Sequence, residues 1–271
     1  MTWNEFVPAQ VFWISGENRG LMVSVWWNVV LLVLSVAALP FDHRRILGLN
    51  PWIKPIKFEL SVILFLLTMA VLLSAVGRTG EWVKLRAFVG WGIGVAMIAE
   101  NSIIAMQSLR GVRSHMNFST LFDGVSFGIM GGFILLNTIL VAVLLGLYFI
   151  SDAGLPVPLL WGIRLGLLVL LAGSVEGSMM VTHGSHTVGI ADGGPGLPFV
   201  NWSTSHGDLR VAHFFALHAL QIFLLLGLWM SGTAMRAGLQ TGMVFLFAVV
   251  YSGAVWALFA QAMAGRPIAL R

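Results

Sequence analysis

The chain has no cysteine, which excludes disulfides, thiolate metal ligands, iron-sulfur clusters and covalently attached haem. Charge is scarce too: Asp, Glu, Lys and Arg make up 10% of 271 residues, and the net charge of +4 is ordinary. No basic tract with interleaved aromatics occurs, so nucleic acid is not an expected partner. The first twenty residues lack the basic start and the apolar run of a signal peptide, which predicts a retained N-terminus. Low-complexity tracts and linkers are missing as well, so residues 1–271 are expected to form one transmembrane helical domain.

What fills the chain instead is apolar. With 58% hydrophobic residues it cannot hide its apolar surface in one water-soluble core. Seven apolar runs, each close to the roughly twenty residues that cross the hydrocarbon, predict an all-α polytopic integral membrane protein, a bundle of about seven transmembrane helices. The expected spans are about 20–39, 58–77, 87–109, 124–149, 158–182, 211–234 and 241–263. The lipid bilayer of a plasma or inner membrane is the first expected partner, and an oligomer or a larger membrane complex is compatible with the pattern. Seven spans put loops one, three and five and the C-terminus on one side, which receives nearly all the polar chemistry. Nine of the fifteen Lys and Arg fall there, which counted naively makes it cytoplasmic; setting aside those inside polar clusters reverses the count and leans the site extracytoplasmic.

Residues 171–222 carry five of the seven histidines. Glu176, His183 and His186, at offsets of seven and ten, are expected on one helical face at the end of span five. A new helix is expected near Asp208 and Arg210 and carries His213, His218 and Gln221. The Gly/Pro-rich stretch between, residues 183–210 with its flanks, is long and stiff for a connector and is expected to be ordered and to cover the site. His183 and His186 can place two imidazoles on one ion, with Glu176, His206 or His213 completing a ligand set for zinc, copper or iron. The alternative is that they cap helix carbonyls or face lipid headgroups. His213 and His218 stand about 140° apart on an ideal helix and cannot easily share an ion. His218 suits either a haem b axial ligand, paired with His183, His186 or His115, or a hydrogen-bonded core position.

A second polar patch holds Arg110, Arg113, His115 and Asn117. Arginine's planar fork can bind an anionic headgroup, a carboxylate or a haem propionate; the plainer reading is a basic membrane boundary. Asn117-Phe118-Ser119 is a formal glycosylation triplet. Glu59 stands at the mouth of span two, while Glu100, beside Asn101, and Glu176 lie inside spans. A charged carboxylate there costs about 2.5 to 3.5 kcal/mol on insertion scales, so both are expected to face protein, either neutral and bonded to amides such as Asn101, Asn137 or Gln221, or paired with a ligand. Arg110 is too far along the helix to neutralise Glu100, since ten residues rise about 15 Å. A faint parallel pseudo-repeat of spans 3–4 and 5–6 matches Glu100, Gln107 and Arg110 to Glu176, His183 and His186, then Asp123 to Asp208 and Asn137 to Gln221.

These ingredients are similar in kind to the seven-helix intramembrane zinc hydrolases, alkaline ceramidases and adiponectin-receptor relatives among them. There a late helix supplies two zinc histidines four residues apart, whereas His213 and His218 are five apart on the sixth span, so membership is not inferred. Three functional readings follow. The first is a metal-dependent enzyme acting on a lipid or small apolar substrate, with Glu176 or Glu100 as base, Arg110 or Arg210 steadying negative charge, and His183, His186, His206 and His213 as the ligand pool. The second is a haem b electron-transfer protein using His218, His115 and Arg113. The third is a proton-coupled transporter or channel working through the buried glutamates.

Overall fold

The computed structural model describes residue 16, residues 18–76 and residues 82–268. Its helices are α1 (Arg19–Ala38), α2 (Ile53–Ala75), α3 (Val83–Arg110), α4 (Leu121–Ile150), α5 (Val157–His183), α6 (Leu209–Ser231) and α7 (Ala237–Met263). All seven are long and apolar enough to cross a membrane, which makes this an all-α, multi-pass integral membrane protein. Several helices start earlier than hydropathy predicts. α2 begins at Ile53 and takes Pro55 into its first turn, where a missing N–H costs nothing because no carbonyl precedes it in the helix. The described residues divide into two compact units between residues 152 and 153.

In the first unit α1 packs on α2 and α3, and α4 packs on α3. Glycines let α1 and α3 approach backbone to backbone: a Cβ on Gly94 would lie 2.6 Å from the Gly20 carbonyl oxygen. α3 ends at Arg110 because Gly111, at φ 75°, turns the chain left-handed and returns its amide to the Ser108 carbonyl. The connection between α1 and α2 closes over that same end. There Arg44 donates to Asp42 at 2.7 Å and to the Leu109 carbonyl at 3.1 Å, placing a cation on the last carbonyls of α3. Hydrogen bonding to Arg44 holds the Asp42 carboxyl well below the usual carboxylate range. α4 starts at Thr120, whose hydroxyl accepts from the Asp123 amide at 3.1 Å.

In the second unit α5 and α6 run antiparallel and very close. Gly162, Gly166, Gly173 and Gly177 line one face of α5 against Phe223, Leu220, Ala216 and His213 of α6. α7 lies against α6 through Ala248 and Tyr251 beside Phe223 and leaves most of its length exposed. α5 stops at His183, capped by Gly184 at φ 72°. This corrects the expected stripe: His186 lies beyond the helix and shares no helical face with Glu176. A short antiparallel pair, β1 (Thr187–Val188) with β2 (Gly207–Asp208), joins the ends of the intervening loop. Within that loop Leu197 donates to the Trp202 carbonyl at 2.8 Å and Thr204 to the Pro195 carbonyl at 3.1 Å. Asp208 caps α6, as its position before the apolar run predicts.

Candidate functional site

In the first unit the loop 111–120 folds back toward the helices. The Nε2 of His115 comes to 3.5 Å from Oε1 of Glu100, a residue that is 3% exposed. Lys54 Nζ lies 3.1 Å from His115 Nδ1, and the Ser114 hydroxyl lies 3.0 Å from the same nitrogen. An ammonium can only donate, so Lys54 makes Nδ1 the acceptor and leaves the ring proton on Nε2, facing Glu100. Phe58 and Phe127 flank the imidazole, with ring centroids 5.8 and 6.0 Å away. The second oxygen of Glu100 has no hydrogen-bond partner among the described residues. Carboxylate, imidazole and ammonium thus form a short series from the buried interior toward the half-buried end of α2.

Deeper polar groups extend this interior. Ser24, Asn28 and Ser35 fall on one face of α1 and are all buried. Asn101 donates to Asn28, and Asn28 donates to the Ser24 carbonyl at 2.8 Å. Ser35 donates to Glu59 at 2.9 Å.

The arginines assigned to catalysis are engaged elsewhere. Arg110 bonds Gln107 and Asp123, tying the end of α3 to the start of α4. Arg210 grips Asp208 through Nε at 2.9 Å and Nη2 at 2.6 Å and also reaches the Asn201 carbonyl, which pins the loop to α6. Arg113 is exposed, and its carbonyl accepts from Asn117. Asn117 is 2% exposed, which removes it as a glycosylation acceptor.

The histidines of the second unit each have a separate local partner. His186 directs Nδ1 at Asp192, 2.6 Å away. The same carboxylate accepts from the His186 and Thr187 amides and from the Ser185 and Thr187 hydroxyls. Burial works to raise the Asp192 carboxyl, but its bonds to His186 and Ser185 outweigh that and hold it well below the usual carboxylate range. His183 Nε2 lies 3.3 Å from the Thr187 carbonyl, and His206 Nδ1 lies 3.0 Å from the Ser205 hydroxyl. His213 donates Nδ1–H to the Gly173 carbonyl at 2.8 Å. His218 packs its ring 4.5 Å from that of Phe214. Glu176 is 7% exposed, and its Oε1 has no hydrogen-bond partner among the described residues. No three His, Asp or Glu side chains gather at metal-binding separation among the described residues.

The sequence reading missed Lys54, Glu59, Asp192 and the α1 stripe as site residues. The stripe was visible as Ser24, Asn28 and Ser35 at helical spacing inside an otherwise apolar span, and Asp192 as the sole acid between Gly184 and Gly207. Compared with protein-family models, curated proteins and solved structures, the chain matches none.

Proposed function

We propose that this protein is a proton-coupled membrane transporter or channel whose proton-exchanging group is Glu100, served by His115 and Lys54. The contact of His115 with Glu100 carries the reading. An ionised carboxylate with an unpartnered oxygen in this interior bears a desolvation cost of several kcal/mol, which a bound proton removes. The surrounding groups supply one. As His115 gives its Nε2 proton to Glu100, its Nδ1 takes one from the Lys54 ammonium. The step leaves neutral Glu100, neutral imidazole in its other tautomer and a neutral amine that water reprotonates. Return of the proton by the reverse steps makes Glu100 a reversible store.

The test uses proteoliposomes loaded with a pH-sensitive dye, under an imposed membrane potential, with and without a panel of small solutes. Proton flux through the wild type and its loss in Glu100→Gln is the expected result. Equal flux in the variant, or none in the wild type with any solute, contradicts it.

A second reading, a membrane metal or haem b protein, has its own support. His186 and His213 both commit Nδ1 to an oxygen acceptor, the arrangement that orients Nε2 toward a metal in histidine-ligated sites. Glu176 stands near the end of α5 with an unpartnered oxygen. A visible absorption spectrum with elemental analysis of chelator-free protein tests it. A Soret band or stoichiometric zinc, copper or iron, lost in His213→Ala, supports this reading, and metal-free colourless protein contradicts it.

A further inference from the structure

Among the described residues of the first unit, Glu59 is the most completely buried carboxylic acid, at 0% exposure, and the exchange of Glu100 with His115 does not use it. Its Oε1 accepts from the Ser35 hydroxyl at 2.9 Å, and its Oε2 has no hydrogen-bond partner among the described residues. Buried carboxylate oxygens without partners are rare in a folded interior, because each forfeits its hydration.

The helix register places Glu59 relative to Glu100. On α1, Ser35 meets Glu59 and Asn28 meets Asn101, the neighbour of Glu100. Ser35 and Asn28 share a face and are separated by two turns, about 10 Å along the helix. Counted from the helix ends instead, Glu59 is six residues from the start of α2 and Glu100 ten from the end of α3, about 9 and 15 Å deep. Both counts put Glu59 nearer the loop end and Glu100 deeper, too far apart to share one proton directly.

The helices packed against α2 carry few charged groups. α1 carries no ionisable residue except Arg19 at its opposite end, and α3 carries Lys84 and Arg86 at its far end with Glu100 and Arg110 nearer. Lys54 and Lys57 lie on its own helix. Among the described residues, the hydrogen bond that Glu59 receives comes from Ser35.

We infer that Glu59 is a second proton-binding site of the first unit, an outer station between the loop end and Glu100, held by Ser35. The inference extends the proton-coupled reading to two carboxyl stations in one helix packing. A proton arriving on Glu59 Oε2 removes the uncompensated charge while Oε1 keeps the Ser35 bond. Its release regenerates the carboxylate, so protons balance without a further reactant.

Infrared difference spectroscopy of the full-length protein in lipid, titrated across pH, reads the C=O band of protonated carboxyls directly. The wild type is expected to show a component that disappears in Glu59→Gln and survives in Glu100→Gln. Ser35→Ala should move that component in frequency without removing it. A Glu59→Gln spectrum superimposable on the wild type, or a component indifferent to Ser35→Ala, overturns the assignment. This readout is independent of transport. A titrating Glu59 component in protein that moves no protons sinks the transport reading and leaves the second site standing.

Discussion

Both units use the same local punctuation and put it to different ends. In each, a helix with a buried glutamate stops at a left-handed glycine, Gly111 or Gly184. A histidine-bearing loop follows, and the next helix opens beside an aspartate bonded to arginine, Asp123 with Arg110 or Asp208 with Arg210. The units part at the loop histidine. His115 turns inward and reaches Glu100, whereas His186 is taken by Asp192 inside its own loop and Glu176 keeps an oxygen without a hydrogen-bond partner among the described residues. The loop 111–120 contains no acid and the loop 184–207 contains one. A histidine goes to the carboxylate it can reach, so one added aspartate is enough to make a loop self-contained.

The largest effect on this comparison is expected from Asp192→Ala. It strands two backbone amides, two hydroxyls and an imidazole at once, and should destabilise the second unit by about 3 kcal/mol, read as a lowered unfolding midpoint in mixed micelles. A variant as stable as the wild type contradicts the role of Asp192 as the organiser of its loop. The same group sets a pH dependence. Because its carboxyl lies below the ordinary value of about 4, its contribution is fully present above that pH and is lost as the pH falls toward its folded value. Hydrogen exchange of the 184–207 amides should therefore accelerate, relative to Asp192→Asn, only in acid.

Asp123→Ala should cost the first unit about 2 kcal/mol, since it leaves Gln107 and Arg110 without their shared acceptor. The mixed-micelle midpoint reads this too, and an unchanged midpoint refutes the tie between α3 and α4. The smallest test is the pair of cap glycines. Alanine at Gly184 meets nothing within 4 Å and pays only for left-handed backbone, about 1 kcal/mol. Alanine at Gly111 would also stand 2.7 Å from Arg44 Nη1 and displace it from the end of α3, for a total of about 2 kcal/mol. Equal costs at the two positions would show that Arg44 contributes nothing there.

Hydropathy made the seven helices legible, and Asp208 marked a helix start that the structure keeps, while the caps at Gly111, Thr120 and Gly184 set ends that hydropathy placed only to within a few residues. The proposed pseudo-repeat is less exact than its spacing suggested. Glu100 lies eleven residues before its cap glycine and Glu176 eight before its own, so equal offsets from the glutamates pair Arg110, inside a helix, with His186, outside one. Periodicity shows which residues share a face but not where a face ends. Glu100 and Glu176 were identifiable from the cost of burying charge. The reach of His115 back to Glu100 was not, because it depends on a loop path that no local pattern encodes, and Lys54 joins it from another helix. The α1 stripe and Glu59 were readable by the same cost argument, since Asn28 and Ser35 interrupt an apolar span.

Glu100→Gln and Glu176→Gln, compared side by side in dye-loaded proteoliposomes, test the central claim most directly. Loss of proton flux in Glu100→Gln with near-normal flux in Glu176→Gln is the predicted result, because among the described residues an imidazole stands against Glu100 and none against Glu176. Normal flux in Glu100→Gln, or loss confined to Glu176→Gln, would contradict it.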